Sequence, residues 1–187
     1  MATVDHSVWY EKGMTFGQYL ESMKVNRDEM TRVYEQLEFT DEDRAVWQEV
    51  AKKNGKGIVL TADWCGDAAL NVPVLQRIAE ESNIEWRYLI RDENLELMDQ
   101  YLTNGTSRAI PIFIFLDQEG HETAVWGPRA LEVQEMITSL RSTLPATDSP
   151  DFEEKQKDLY RSFKENITSD PTIWRAVIES VKAKLQG

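Results

Sequence analysis

A short apolar run that passes directly into a helical pattern is the feature that most restricts the fold of this chain. Residues 57–62 are mostly aliphatic and follow the turn-forming pair Asn54 and Gly55, which predicts a buried central strand. From Ala68 to Ala79 the apolar residues recur at roughly helical spacing. The sequence therefore predicts a strand that leads at once into a helix.

The single cysteine of the chain, Cys65, lies at this junction of strand and helix. The unpaired N–H groups and the positive end of the dipole at a helix N-terminus favour a thiolate over a thiol. Asp67 suits the first turn of the helix, but its negative charge opposes a thiolate at Cys65. The sequence leaves these two effects in balance, and Cys65 is the first candidate for covalent chemistry.

The motif Trp64, Cys65 and Gly66 resembles the active-site signature of the thioredoxin superfamily. Pro73 falls inside the helical pattern, where that family carries a proline that bends the helix. Further features follow in the order that the family has: a strand at 84–90, a helix with Leu95, Met98 and Leu102, a loop, proline and long strand at 107–115, a hairpin strand at 122–127, and a helix with Val133, Met136, Ile137 and Leu140.

This resemblance implies an α/β fold of three layers, with a central mixed β-sheet, over residues 56–144. It also implies a cis peptide bond between Ile110 and Pro111, with Pro111 beside Cys65. We predict helical extensions at both termini, residues 1–55 and 145–187, which form one compact unit with the thioredoxin-like domain.

The N-terminal extension carries the patterns of three helices. A capping box of Thr15 and Gln18 begins the first, a stripe from Met30 to Leu37 marks the second, and Thr40 begins the third. Two interpretations stay open for these helices. They cover an edge or face of the sheet, or they form a cap that binds partners and gates the site.

The C-terminal extension follows a turn-rich segment at 144–150. Phe152, Leu159 and Phe163 share one face of a predicted helix, and Asp170 caps another. That last helix has a wide apolar stripe, which must be buried against another surface. It packs within the chain or forms the interface of a homodimer.

Two departures from the family affect the chemistry. Ala68 stands where thioredoxins have their second cysteine, so no disulfide can form within the chain. Val59 stands where the family has a buried acid that moves protons. The chain resembles a subgroup with Trp-Cys-Gly-Asp motifs, whose members often lack the second cysteine.

The first functional hypothesis is thiol–disulfide exchange by a single thiol. The Cys65 thiolate attacks a disulfide of a protein or of a low-molecular-weight compound, and an external thiol resolves the mixed disulfide. The residues expected to form the substrate groove are Trp64, Gly66, Asp67, Ile110 and Pro111. The alternative is a redox-inactive binding or adaptor module of the thioredoxin fold, in which Cys65 is buried and inert.

Composition restricts the partners. A formal net charge of −12 and a pI near 4.7 argue against nucleic acids and anionic membranes. His6, His121 and the lone cysteine make no zinc-binding spacing, and neither a metal nor a cofactor is expected. The first residues have no basic and apolar signal pattern, so a cytoplasmic location is expected.

Overall fold

The computed structural model describes residues 4–187. Its N-terminal half contains α1 His6–Lys12, α2 Phe16–Ser22, α3 Arg27–Gln36, α4 Asp41–Lys53, β1 Lys56–Thr61, α5 Gly66–Ser82 and β2 Glu85–Ile90. The rest contains a 3-10 turn Arg91–Glu93, α6 Leu95–Met98, β3 Ile112–Leu116, β4 Glu122–Trp126, α7 Leu131–Arg141, α8 Phe152–Ile167 and α9 Pro171–Gln186.

The four strands form one mixed sheet in the order β2-β1-β3-β4. β1 is parallel to β2 and antiparallel to β3, and β3 is antiparallel to β4. Ile58, Val59 and Leu60 of β1 have no exposed surface, which fits a central strand covered on both faces. The predicted α/β fold with a central mixed sheet is confirmed.

Close packing at the start of β1 requires a glycine. A Cβ atom at Gly57 would lie 1.9 Å from the ring of Trp86 and 2.8 Å from the carbonyl oxygen of Ile114. The indole N–H of Trp86 donates to the carbonyl of Leu75 at 2.9 Å. Gly57 therefore lets β2 and α5 pack tightly on the strand that leads to Cys65.

Helices α2 and α4 begin where their capping residues predict. Both capping boxes are present, Thr15 with Gln18 and Thr40 with Asp43. Met14 forms an antiparallel bridge with Tyr88 of β2, through hydrogen bonds of 2.9 and 2.8 Å. The segment thus covers the outer edge of the sheet, as in the first of its two interpretations.

Helix α1 was not predicted from the sequence. It has seven residues, and its apolar residues Val8, Trp9 and Tyr10 are consecutive, so they show no helical spacing that a periodicity search can find. Asp5 caps it by accepting a hydrogen bond from the N–H of Ser7 at 3.1 Å.

Helix α9 is covered by its own chain. Trp174, Val177, Ile178 and Val181 are at most 1% exposed, and the helix packs against α5, α7 and β4. The indole N–H of Trp126 in β4 lies 3.0 Å from the Ser180 hydroxyl oxygen. The stripe of this helix is therefore buried within one chain, while a homodimer through the same helix stays a prediction. Of the helices in residues 4–187, none has both the length and the apolar character that a bilayer span needs.

Candidate functional site

The turn between β1 and α5 holds Cys65 at the N-cap position of α5. The N–H of Cys65 donates to the carbonyl of Ala62 at 3.3 Å, and its carbonyl accepts from the N–H of Ala69 at 3.1 Å. The turn is also held from outside, because the side-chain amide of Asn26 donates to the carbonyl of Asp63 at 2.9 Å. The segment before α3 therefore helps to position the cysteine.

The loop before β3 closes over the thiol. Cys65 is 8% exposed, and its Sγ lies 3.6 Å from the carbonyl oxygen of Ile110, to which the thiol donates. The peptide bond between Ile110 and Pro111 is cis. The loop thus lies where the resemblance to thioredoxins places it.

Burial determines the protonation of the thiol. Desolvation, followed by the charge of Asp67, raises the pKa of Cys65 to about 11. The N–H groups of Ala68 and Asp67 and the charge of Arg129 act in the opposite direction but do not offset this. The balance that the sequence left open thus favours the neutral thiol, so Cys65 is protonated at neutral pH.

Asp67 is held by an ion pair that the sequence did not predict. The guanidinium of Arg129 donates to both of its carboxylate oxygens, at 2.9 and 2.7 Å. The side chains of Asp67 and Arg129 are only 12% and 16% exposed. Gln134 accepts another hydrogen bond from Arg129 at 2.9 Å. This bidentate pair joins the first turn of α5 to the segment before α7.

Helix α8 of the C-terminal extension packs against the first residue of α5. A Cβ atom at Gly66 would lie 3.4 Å from Cγ of Lys164. The ammonium of Lys164 donates to the side-chain oxygen of Asn26 at 2.8 Å. Helix α8 therefore contacts both the motif that holds Cys65 and the segment before α3 that helps to position it.

A pocket of about 440 Å³ lies between these elements. Its lining comprises residues 64–67 of the motif, Asn26, Arg129, and the α8 residues Tyr160, Arg161, Phe163 and Lys164. Small-molecule sites in proteins have volumes of about 300–1,000 Å³. The pocket is thus large enough for a small organic ligand in contact with Cys65.

Trp64 is the exposed member of the motif. It is 53% exposed, and the guanidinium of Arg91 lies 4.9 Å from its ring centroid. Trp64 also borders a second pocket of about 440 Å³, together with Tyr19 and Ile90. The indole ring therefore takes part in two adjoining concave surfaces.

The structure brings four of the six predicted site residues to one pocket: Trp64, Cys65, Gly66 and Asp67. Ile110 and Pro111 are buried, and Ile110 contacts the thiol through its carbonyl instead of lining the pocket. Sequence reasoning missed Arg129 and Lys164, since nothing in their local pattern points to Cys65.

One further group of side chains has metal-binding chemistry. The ligand atoms of Asp117, Glu119 and His121 lie within 4.8 Å of one another in the hairpin between β3 and β4. Asp117 accepts hydrogen bonds from the N–H groups of Glu119 and His121, each at 2.9 Å. His121 lies in the hairpin as predicted, and this cluster stabilises the turn.

The fold defines a thioredoxin-like protein, and its motif Trp64, Cys65 and Gly66 holds a single cysteine. The sequence model of the family described as Thioredoxin matches residues 13–141, and the chain belongs to that family. A comparison with curated proteins found no match.

Two solved structures are similar over nearly their whole length. A protein of unknown function from Pseudomonas aeruginosa has a TM-score of 0.63 and 16% identity, over 96% of this chain and 99% of that one. An HIV epitope scaffold has a TM-score of 0.57 and 17% identity, over 94% and 98% of the two chains. At these identities the likeness shows the fold alone.

Proposed function

We propose that this protein is a binding module of the thioredoxin family, in which the pocket beside Cys65 holds a ligand or a partner group. The observation that carries the proposal is the buried thiol at the wall of a pocket of about 440 Å³. A thiol with a pKa of about 11 has little thiolate at neutral pH, and the thiolate is the nucleophile.

Two substitutions of the usual redox residues support a binding role. Ala68, at the position of the second cysteine, is 1% exposed and Val59 is completely buried. An apolar residue at each position fills the core but supplies neither a resolving thiol nor a proton carrier. The pocket beside Cys65 is therefore present without the groups that complete a disulfide cycle.

The pH dependence of Cys65 alkylation by iodoacetamide tests this proposal, since the rate follows the thiolate fraction. In the folded protein we expect the rate to rise about tenfold per pH unit up to about pH 10, without a plateau. The chain unfolded in urea is the control, with a midpoint near about pH 8.5. A plateau below about pH 7.5 in the folded protein would overturn the binding role as its main function.

A second candidate function is thiol–disulfide exchange by Cys65. It is favoured by the position of Cys65 at the N-cap of α5, where the N–H groups of Ala68 and Asp67 act to lower the pKa of the thiol against the effect of burial. The thiolate would attack a disulfide, one sulfur of which leaves as a thiolate, and an external thiol would then release Cys65. The unpaired cysteine suits a reducing compartment, and we propose the cytoplasm for either function.

The variant Cys65→Ser separates the two candidates. In the binding role, this variant folds and keeps its affinity for the partner. In the exchange role, it folds but loses disulfide turnover completely.

A further inference from the structure

The charges that line the pocket beside Cys65 differ in sign from those of the whole chain. Three lining residues are cationic, Arg129, Arg161 and Lys164, and one is anionic, Asp67. The chain as a whole carries a formal net charge of −12. The pocket is therefore a local site of positive charge on an acidic protein, which favours anions there over other parts of the surface.

Two of these cations retain donors for a ligand. Arg129 is neutralised by Asp67. The ammonium of Lys164 has three N–H groups and gives one to the neutral amide of Asn26, while the nearest carboxylate, that of Glu29, is 3.9 Å away. Arg161 makes one contact of 3.1 Å with Asp158 and keeps further N–H groups of its fork.

Three further residues of the lining are aromatic. Trp64, Tyr160 and Phe163 contribute ring surfaces to the pocket, and Trp64 is 53% exposed. Rings of this kind bury the apolar or planar body of a ligand, while a few charged groups fix its orientation. The cations of α8 and the ring of Trp64 therefore favour a ligand that has an anionic end and an apolar body.

We propose that this pocket binds a small organic carboxylate, with its anionic end at Lys164 and Arg161 and its aromatic or apolar body against Trp64 and Phe163. The inference rests on the proposed binding role of the pocket and names the chemical class of the ligand. It also assigns a function to the C-terminal extension, since both cations come from α8.

The single cysteine provides a reporter within the pocket. Dithiobis(nitrobenzoate) is an aromatic disulfide with two carboxylates, and dithiodipyridine is a neutral aromatic disulfide. With either probe, the Cys65 thiolate forms a new S–S bond, the S–S bond of the probe breaks, and one aromatic thiolate leaves and is measured by its absorbance. Because the same thiolate attacks both probes, its pKa cancels from the ratio of the two rates.

For each state of the chain we divide the reaction rate with the anionic probe by the rate with the neutral probe. At low salt we expect this ratio of rates to be at least about threefold higher in the folded protein than in the chain unfolded in urea. The excess should fall as sodium chloride is added, since salt screens the attraction. Lys164→Gln should lower the ratio about threefold, and Arg161→Gln should lower it by less because Arg161 is more exposed.

Lys155→Gln is the matched control. It removes the same charge from the same helix, but Lys155 pairs with Asp151 and lies outside the pocket lining. An equal ratio in Lys164→Gln and Lys155→Gln would overturn the inference. It would also be overturned if the ratio of the two rates in the folded, unmodified protein were no higher than in the unfolded chain.

These outcomes are separate from those of the proposed function. A pH profile with an activated thiol would remove the binding role but leave the preference for anions measurable. If Lys164→Gln did not change the ratio of rates, the proposal of a carboxylate ligand would fail, while the protonated thiol and its pH profile would be unaffected.

Discussion

Two carboxylates, the buried Asp43 in α4 and the half-buried Asp67 in α5, bind cations from distant parts of the chain. The Asp43 side chain is completely buried and pairs with Arg175 and Lys182 of α9. The Asp67 side chain is 12% exposed and pairs with Arg129. Both sets of ion pairs join separate elements of the fold, but the charged groups that surround them differ.

The network of Asp43 is closed. Glu179 lies 3.2 Å from both Arg175 and Lys182, so two carboxylates balance two cations. Asp43 also accepts a hydrogen bond from the N–H of Thr40 at 2.9 Å as part of its capping box. Each charged group of this network pairs with another group of the network, so none is left to bind a ligand. The network also connects α9 to the N-terminal extension.

The ion pairs around Asp67 are looser than those around Asp43. Its charge balances Arg129 and also raises the pKa of Cys65. The other two cations of the pocket have weaker partners, since Arg161 pairs with Asp158 at the surface and Lys164 lies 3.9 Å from Glu29. The same type of ion pair therefore connects α4 to α9 at one place, and at the other place it lies beside a thiol whose pKa it helps burial to raise.

Loss of the closed network should have the largest effect on stability. We expect Asp43→Asn to lower the free energy of unfolding by about 3 kcal/mol, because Arg175 and Lys182 lose a buried partner. Urea denaturation monitored by circular dichroism measures the loss. Asp41→Asn, at a fully exposed position in the same turn, is the control and should change it by less than about 0.5 kcal/mol. A loss below about 1 kcal/mol for Asp43→Asn would contradict the structural role.

Loss of the pair at the site should affect stability less and chemistry more. Asp67→Asn leaves Arg129 without its carboxylate, but that side chain is 16% exposed, so we expect a loss of about 1–2 kcal/mol. The midpoint of Cys65 alkylation should move to lower pH, because a charge that raises the thiol pKa is removed and that of Arg129 remains.

The control for this change is again Asp41→Asn, which removes the same charge far along the chain from Cys65. It should leave the alkylation profile where it is in the unmodified protein. An unchanged profile in Asp67→Asn would mean that burial alone keeps the thiol protonated.

The same contrast explains how much could be predicted from the sequence. The strand before Cys65, the helix after it and the capping boxes depend on neighbouring residues and on periodicity, which a single sequence contains. Arg129 lies 62 positions from Asp67, and Arg175 lies 132 positions from Asp43. Charged residues carry no periodic signal that assigns such partners.

Helix α8 is the clearest case. Phe163 was correctly placed on the apolar face of a C-terminal helix, but nothing in that stripe indicates which surface it covers. Lys164, its neighbour, contacts Gly66 and Asn26, so the pocket exists only through tertiary packing. The protonation of Cys65 was unpredictable for the same reason, since it depends first on burial.

The smallest expected effect is the pH dependence of the closed network. Burial raises the pKa of Asp43, but the hydrogen bond from Lys182 and the other donors outweigh it and hold that pKa below its ordinary value. Since the folded pKa is depressed, the stabilisation is present above the unfolded pKa of about 3.9 and is lost as pH falls through the folded value. The difference in free energy of unfolding between the unmodified protein and Asp43→Asn should therefore narrow from about pH 7 to about pH 3.

The difference between the unmodified protein and Arg175→Gln should narrow in the same way, because this variant lacks a partner of the same carboxylate. A difference that stays constant over this range would show that the negative charge of Asp43 does not contribute to stability.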